Sequence, residues 1–252
     1  MMIVTPILTH QHISEFNANG CCALYNAFSS SDIEIIDKWA MEVEELPEEA
    51  GKHWVFHESG QIDNKKLINR IEYISPFHNG FATLTNVLKI MVEQLLGEAA
   101  YLFKEKINFK MPGGSGFKPH QDSQAGWENY ATNFVNVMLC IDEANEENGC
   151  LEIAPQQNTR GLLRGMEPLD KDDLIGMDFV FYPTKPGDLI LFDAYTPHRS
   201  GPNLTKCMRR LYFATYNRAT EGNHYQGYHE EKRKNFPPDI ERKKHKNYTY
   251  KV

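Results

Sequence analysis

The chain has 252 residues, 41% of them hydrophobic and 12% aromatic, which is enough apolar material for one well-packed domain and excludes a globally disordered protein. Its 27 basic and 34 acidic residues give a formal net charge of −7, so nucleic acid is not expected as the main partner. With no apolar run near the roughly 18 residues of a membrane span and no signal-peptide pattern at the N-terminus, the sequence predicts a cytoplasmic protein that does not contact membranes.

The first hundred residues are predicted to be mainly helical, because apolar residues recur at helical spacing between capping signals. Segment 51–60 lacks such a period and carries His53, Trp54, His57 and Glu58. We expect a loop there, which either folds over a pocket or is a plain surface excursion. The predicted helices cover residues 14–19, 33–46 and 83–96.

From Tyr101 the pattern changes to the two-residue period of a strand. The oily face carries Tyr101, Phe103, Ile107 and Phe109, and the polar face carries Lys104, Lys106, Asn108 and Lys110. The polar face looks either into a barrel or out to water, and the strand leads directly towards the candidate site described below. Further strands are predicted over residues 133–141, 150–154, 188–193 and 209–217.

Several connections can also be predicted. Asn148-Gly149 favours a type I′ hairpin between the strands at 133–141 and 150–154, and residues 185–188 favour a turn. The stretch 161–183 is too long for a hairpin loop and is expected to be an acidic surface excursion. The basic C-terminal residues predict a solvated tail or a final helix, with docking of an anionic partner as the weaker alternative. The five cysteines, an odd number without the paired spacing of a zinc site, fit reduced thiols.

A metal site is indicated by three residues. His120 and Asp122 lie two residues apart and would share one face of an extended strand. His198 follows 78 residues later (198 − 120), so the three can meet only if the chain folds back into a barrel. Two imidazoles and one carboxylate on one face of a divalent ion is the pattern of non-heme Fe(II) oxygenases, since three positions are left open.

Around these residues the sequence resembles the phytanoyl-CoA dioxygenase family. Ser200 lies two residues after His198 and Arg209 eleven after it, the arginine opening a predicted strand. The resemblance implies a double-stranded β-helix, a jelly roll of mainly β structure with flanking helices. It also implies an oxygenase that uses Fe(II), 2-oxoglutarate and O2. The expected organisation is a single domain, with residues 1–100 mainly helical, 101–220 the jelly-roll core and 221–252 a C-terminal extension.

Carried over residue by residue, the resemblance makes His120, Asp122 and His198 the iron ligands. It makes Arg209 the partner of the distal carboxylate of 2-oxoglutarate, with Ser200 adding a hydrogen bond. Segment 107–110 is similar to a strand of the ectoine hydroxylase branch, which implies that Asn108 touches the co-substrate. Trp127, five residues after Asp122, lies near the position of an aromatic residue of that branch, which implies that it lines the substrate pocket. For both, the alternatives are a structural amide and an indole packed under a loop.

Arg210 competes with Arg209, but neighbouring residues in a strand face opposite ways and the family offset favours Arg209. One departure is Pro155-Gln156-Gln157-Asn158, where many members have Pro-Gly-Ser-His; this puts in doubt any contact made by the missing histidine. In the halogenases of the family the ligand aspartate is replaced by a small residue. Because Asp122 is present, halogenation is disfavoured.

The expected reaction is hydroxylation of a C–H bond in a small molecule, with release of succinate and carbon dioxide. If the polar face of the strand lines the pocket, Lys104 and Lys106 make it cationic and favour an anionic or zwitterionic substrate. The segments 105–114 and 119–122 also resemble a branch that includes 2-aminoethylphosphonate hydroxylases. Arg70 and Tyr73 are further pocket candidates, or else surface charge and core ring; a bulky or carrier-linked substrate stays open.

Two other classes of function compete with an oxygenase. A catalytically silent barrel could bind a metal or metabolite, and a zinc hydrolase could use the same three ligands with a metal-bound water. Arg209 argues against both, because neither needs an anchor for a co-substrate. The sequence does not define the oligomeric state.

Overall fold

The protein was analysed as a computed structural model that describes residues 3–59, 66–246 and 248. Within these residues, eleven strands form two antiparallel sheets, accompanied by four α-helices. The elements in chain order are α1 (His10–Asn19), β1 (Cys21–Leu24), α2 (Ser30–Glu44), β2 (Trp54–Ser59), β3 (Lys66–Glu72), α3 (Asn79–Leu96), β4 (Ala100–Lys110), β5 (Phe117–His120), β6 (Phe134–Cys140), β7 (Leu151–Ile153), β8 (Val180–Tyr182), β9 (Leu189–Asp193), β10 (His198–Ser200), β11 (Arg209–Arg218) and α4 (Tyr225–Asn235).

The two sheets have the strand orders β1-β9-β6-β11-β4-β3-β2 and β5-β10-β7-β8. A cluster of buried side chains from both sheets, including Met138, Ile153 and Leu211, fills the space between them. On the other face of the larger sheet, residues of α2 and α3 such as Ile36 and Leu88 pack on strand residues. Each fully buried side chain of this size contributes roughly 1.5 to 3 kcal/mol to folding. This layering confirms the predicted jelly roll with flanking helices.

The three predicted N-terminal helices are confirmed, but each begins earlier than expected. Helix α1 starts after Thr9, whose side chain accepts a hydrogen bond from the backbone N–H of His12. Helix α3 starts after His78, whose ring nitrogen accepts from the N–H of Phe81. Histidine is an uncommon N-cap, so this start is not apparent from the sequence. At its other end, α1 stops at Gly20, which adopts the left-handed φ of 72°.

The prediction of a loop over residues 51–60 is wrong. Residues Trp54–Ser59 form β2, which pairs with β3 at the edge of the larger sheet. Trp54, Val55 and Phe56 are all buried, so this strand is covered on both faces and shows no alternation of polar and apolar residues. Gly60 lies outside the described residues.

The hairpin predicted at Asn148-Gly149 is also wrong. Strand β6 belongs to the larger sheet and β7 to the smaller one, so the two do not pair. Gly149 has a φ of 73°, but Asn148 is not among the described residues with positive φ, as a type I′ turn would require. The segment instead forms a crossover turn, in which the N–H of Cys150 donates to the carbonyl of Asn145. The turn at 185–188 is confirmed by the hydrogen bond from Asp188 N–H to the Lys185 carbonyl.

The remaining connections agree with expectation in part. The stretch 161–183 is largely irregular but contains β8, and α4 forms the predicted final helix. The last residues, 249–252, lie outside the described part of the chain. Cys21, Cys22, Cys140 and Cys150 are free and buried, whereas Cys207 is free and exposed. Among the described residues, no helix combines the length and the apolar character that a membrane span requires.

Candidate active site

The three predicted metal ligands converge at one end of the smaller sheet. His120 is the last residue of β5 and His198 the first of β10, and the antiparallel register places them opposite each other. Their ring centroids lie 4.2 Å apart. The Nε2 atom of His198 lies 3.8 Å from Oδ2 of Asp122, and one ligand atom from each of the three residues lies within 4.8 Å of the other two. The cluster therefore offers two imidazoles and a carboxylate to one divalent ion.

Asp122 reaches this cluster from a turn and not from a strand. Strand β5 ends at His120, and Asp122 begins a short 3-10 helix. Between them, the buried side chain of Gln121 holds the turn in place, because its Nε2 donates to the carbonyl of Tyr195 at 2.6 Å. The prediction that His120 and Asp122 share one strand face is therefore wrong, although their side chains do converge.

Backbone contacts fix the orientation of both imidazoles. The Nδ1 atom of His120 lies 2.7 Å from the carbonyl of Lys118, and Nδ1 of His198 lies 3.0 Å from the carbonyl of Thr196. A carbonyl can only accept, so each Nδ1 carries the proton and each Nε2 keeps its lone pair for a metal. Burial, followed by the neighbouring His198, lowers the pKa of His120 to about 3. Burial also lowers the pKa of His198. Both rings are thus neutral at pH 7, the form that binds metals.

Arg209 and Arg210 point to opposite faces of β11. Arg209 is 2% exposed and lines an internal cavity that the three ligands share. Its Nη2 donates to the carbonyl of Gly149 at 2.8 Å, whereas its buried Nε has no partner among the described residues. Arg210 instead forms ion pairs with Asp142, at 2.7 Å, and with Asp37. Burial lowers the pKa of Arg209 to about 10, so the guanidinium is still charged at neutral pH. The alternation argument is confirmed: Arg209 faces the cavity.

A second buried basic residue, Lys110, lies beside Arg209 and was not predicted as a site residue. Its Nζ donates to Oγ of Ser200 at 2.8 Å and to the carbonyls of Gly201 at 2.5 Å and Gly149 at 3.3 Å. Burial and then the charge of Arg209 lower the pKa of Lys110 to about 6. The sequence places Lys110 on the polar face of its strand, but only the register, in which it pairs with Arg209, brings it to Ser200.

Strands of both sheets contribute to the walls of the cavity. Ser200 and Asn108, both predicted to contact the co-substrate, lie on its wall together with the apolar side chains of Leu151, Leu211 and Phe213. Asn108 is 7% exposed, and its Oδ1 is buried without a partner among the described residues. An unpaired buried amide and an unpaired guanidinium nitrogen are costly unless a ligand satisfies them.

The predicted substrate residues do not all reach the cavity. Lys106 lines it, with its ammonium 5.3 Å from the ring centre of Phe213, and burial lowers the pKa of Lys106 to about 8. Lys104 is buried but lies 5.2 Å from the indole of Trp127, outside the set of lining residues. Trp127 itself is 1% exposed and packs against Phe103 and Phe134. The structure therefore places Trp127 in the core, in agreement with the alternative interpretation of an indole packed under a loop.

Phe103 also departs from the predicted face of its strand. The register between β4 and β11 shifts at Thr215/Tyr216, where Lys104 pairs with Thr215 but Leu102 pairs with Tyr216. The extra residue, Phe103, turns its ring towards Trp127 and towards Tyr228 of α4. This bulge explains why the simple alternation fails at one end of the strand.

Next to Lys106, a buried ion cluster extends into the barrel. Glu72 pairs with Lys106 in the register of β3 and β4 and is 1% exposed. Its Oε1 lies 2.7 Å from Nε of Arg70, and its Oε2 accepts from the ammonium of Lys232 in α4. Burial alone would raise the pKa of Glu72, but the charges of Lys232, Lys104, Arg70 and Lys106 hold it well below its usual range.

A wide surface cleft adjoins the cavity and shares His120 and Phe117 with it. His57 and Glu58 line this cleft together with Arg70. The two other residues singled out from the sequence are elsewhere: His53 is buried, and Tyr73 stacks on Tyr225 with ring centroids 5.7 Å apart. Tyr73 thus packs against other rings, in agreement with the alternative interpretation of a core ring.

Comparison with known proteins agrees with this geometry. The family model described as phytanoyl-CoA dioxygenase (PhyH) matches residues 16–211, well over half of the chain. The chain belongs to the phytanoyl-CoA dioxygenase family. The family and the oxygenase class predicted from the sequence are confirmed.

Two curated relatives and one solved structure resemble the chain over most of its length. The chain is 35% identical to the 2-aminoethylphosphonate dioxygenase of uncultured bacterium HF130_AEPn_1, over 96% of this chain and 94% of the relative. It is also 35% identical to the methylphosphonate hydroxylase of Gimesia maris, over 91% and 88% of the two chains. The crystal structure of EctD from S. alaskensis with 2-oxoglutarate and 5-hydroxyectoine matches with a TM-score of 0.72 and 22% identity, over 85% of this chain and 77% of the other. This phytanoyl-CoA dioxygenase family member thus shares its fold with EctD.

Proposed function

We propose that this protein is an Fe(II)- and 2-oxoglutarate-dependent oxygenase that hydroxylates a C–H bond of a small phosphonate and releases succinate and carbon dioxide. The observation that carries the proposal is the convergence of His120, Asp122 and His198 beside a cavity that also receives Arg209. Both curated relatives are named for phosphonates, which supports the substrate class. The chain acts as one catalytic domain, since α4 places Lys232 against Glu72 of β3 inside the barrel.

The residues present fit the metal that this activity requires. His120, Asp122 and His198 would hold the ion, because two neutral imidazoles and one carboxylate are the donor set of non-heme Fe(II) sites. Bound Fe(II) supplies the activation of dioxygen that oxidises 2-oxoglutarate and the substrate. The carbonyls of Lys118 and Thr196 orient both imidazoles so that their Nε2 atoms face the site. The two histidines therefore need no change of side-chain conformation to bind the metal.

Arg209 on the cavity wall, with Lys110 beside it, fits the distal carboxylate of 2-oxoglutarate. Arg209 offers a planar guanidinium with one buried nitrogen unpaired, the donor that a carboxylate fills. The Oγ of Ser200 accepts from Lys110, so its own hydroxyl proton is left to donate to the same carboxylate. Asn108 contacts the co-substrate through the amide that it turns into the cavity. The surrounding apolar residues exclude water from the reacting groups.

The substrate anion is held by Lys106, whose ammonium lies on the cavity wall. Lys104 supports this role through its charge and without contact, because it lies behind the wall against Trp127. A phosphonate carries up to two negative charges and three acceptor oxygens, which match a lysine ammonium in a poorly solvated pocket.

The test is substrate-dependent succinate formation by anaerobically prepared protein that is given Fe(II), 2-oxoglutarate, air and a panel of phosphonates, amino acids and amines. We expect coupled turnover with at least one phosphonate, and its loss in Asp122→Ala and Arg209→Ala. The matched controls are Asp172→Ala and Arg160→Ala, which remove the same charges from exposed positions outside the cavity. Both controls should retain activity.

Other outcomes would favour the competing classes. Turnover confined to amino acids or amines would keep the oxygenase and reject the phosphonate. Absence of succinate with tightly retained zinc would favour a hydrolase, and absence of both turnover and zinc would favour a silent barrel. A silent barrel and a hydrolase have no use for a charged arginine that is 2% exposed and lines the cavity.

A further inference from the structure

We propose that the substrate is an alkylphosphonate whose organic part carries no ammonium group, because the chain's own Lys232 already uses the carboxylate and the rings that such a group would need. This inference rests on the proposed function and narrows it. The two phosphonate relatives are equally similar to the chain, at 35% identity each, so similarity does not choose between an aminoalkyl and a plain alkyl substrate.

The first observation concerns the acids of the cavity. A substrate ammonium in a buried pocket needs a carboxylate or a set of strong acceptors nearby, since an unpaired buried charge is costly. Among the described residues that line the cavity, Asp122 is the one carboxylate, and it is a proposed metal ligand. The other lining side chains that carry charge are cations or imidazoles, including Lys106, Arg199 and Arg209.

The second observation concerns Glu72, a buried acid beside the cavity wall. It lies across from Lys106 in the sheet register, so its side chain shares a sheet face with a residue that lines the cavity. Both of its oxygens are engaged, Oε1 by Arg70 at 2.7 Å and Oε2 by Lys232. A substrate ammonium would have to displace one of these cations, and both are held inside the fold.

The third observation is the set of aromatic rings around Lys232. Its ammonium lies 5.8 Å from the ring centre of Trp54, 5.9 Å from that of Phe56 and 5.7 Å from that of Tyr228. Rings combined with a carboxylate form the kind of site that recognises alkylammonium ligands. Here the side chain of Lys232 fills it, entering from α4 as an internal ammonium.

The charge balance points the same way. Arg70, Lys104, Lys106 and Lys232 surround the single carboxylate of Glu72 closely enough to set its pKa. A further ammonium would add a like charge to a cluster in which cations already outnumber acids. A phosphonate with an uncharged alkyl group instead brings only negative charge, which this cluster attracts.

The test compares n-propylphosphonate with 2-aminoethylphosphonate, which differ by a methyl group in place of an ammonium of similar size. Methylphosphonate is included as a smaller substrate without an amine. We expect the wild-type enzyme to have a kcat/KM at least about 10-fold higher for one of the amine-free phosphonates. Equal or higher kcat/KM for 2-aminoethylphosphonate would overturn the inference and leave the proposed function intact. If no phosphonate supports coupled succinate formation, the proposed function itself fails.

A variant tests the role of Lys232 directly. Lys232→Met keeps the aliphatic stem, removes the internal ammonium and leaves one oxygen of Glu72 for a ligand. We expect the ratio of kcat/KM for 2-aminoethylphosphonate to that for n-propylphosphonate to rise about 10-fold, with no change in the control Lys234→Met, an exposed position on the same helix. A folded Lys232→Met enzyme with the wild-type ratio would remove Lys232 from the argument. If this variant does not fold, the wild-type comparison alone decides.

Discussion

Adjacent arginines on β11 give a sharp test of the site, because Arg209 and Arg210 differ in the face to which they point. Replacing Arg209 by alanine removes the guanidinium that we assign to the distal carboxylate of 2-oxoglutarate. Truncating one partner of a buried charge pair costs roughly 2 to 5 kcal/mol. Lys110 stays in place and offsets part of this loss, because it donates a hydrogen bond to the same Gly149 carbonyl as Arg209 and so lies beside it. We therefore expect a loss of about 3 kcal/mol in co-substrate binding.

That loss corresponds to a roughly 100-fold increase in the KM for 2-oxoglutarate. The contact is made in the ground state and the transition state alike, so kcat at saturating 2-oxoglutarate should change much less. Arg210→Ala is the matched control. It removes ion pairs with Asp142 and Asp37 on the outer face and should lower the free energy of unfolding by roughly 1 to 3 kcal/mol. Its KM for 2-oxoglutarate should stay within about twofold of wild type.

Steady-state kinetics over a wide range of 2-oxoglutarate, with thermal unfolding of each variant, measures both quantities. A KM for the Arg209→Ala enzyme within a few-fold of wild type would refute the assignment of Arg209. So would a comparable rise in the KM of Arg210→Ala, because that result would trace the effect to general disruption of β11.

Three further predictions follow from the site and its surroundings. Burial and the charge of Arg209 lower the pKa of Lys110 to about 6, and a bound dicarboxylate should raise it. 2-Oxoglutarate should therefore bind with proton uptake at pH 7.5, and more weakly as the pH rises above about 6. Calorimetry in buffers of different ionisation enthalpy measures the uptake, which should disappear in Lys110→Met; zero uptake by the wild type would contradict the assignment. Fe(II) at 100 times its dissociation constant should stabilise the fold by about 2.7 kcal/mol, so that a chelator lowers the Tm by roughly 5 to 10 °C, with no such shift in Asp122→Ala. Trp127→Phe should lower the free energy of unfolding by roughly 1 to 3 kcal/mol through lost packing, and the KM for the phosphonate should not change. A large change in that KM would show that Trp127 contacts the substrate.

The sequence predicts most of the metal site but not the way in which it is assembled. His120, Asp122 and His198 stand out because their residue types and family spacing are local features of the chain. The turn that carries Asp122 is held by Gln121 through a carbonyl far away in sequence, and such a contact leaves no local pattern. Lys110 was missed for the same reason, since its partners come from β10 and β11.

The errors in the fold have separate physical causes, the first being that burial on both faces of a strand removes the alternating pattern. Trp54, Val55 and Phe56 lie between two packed layers, so β2 has no polar face to reveal it. Asn148-Gly149 is typical of a hairpin, but β6 and β7 belong to different sheets, and the turn connects one sheet to the other. The bulge at Phe103 shifts the alternation within one strand, because the extra residue is absorbed by the register with β11.

The opposed positions of His120 and His198 also bear on how the chain folds and how long it stays folded. The two strands that carry them pair although His198 follows His120 by 78 residues (198 − 120). Because the entropy of closing a loop grows with its length, we expect this contact to form late in folding. An ion between β5 and β10 would cross-link this late contact. Interactions that form after the folding transition state slow unfolding more than they speed folding. Iron loading would therefore set the lifetime of the folded enzyme against proteolysis as well as its activity.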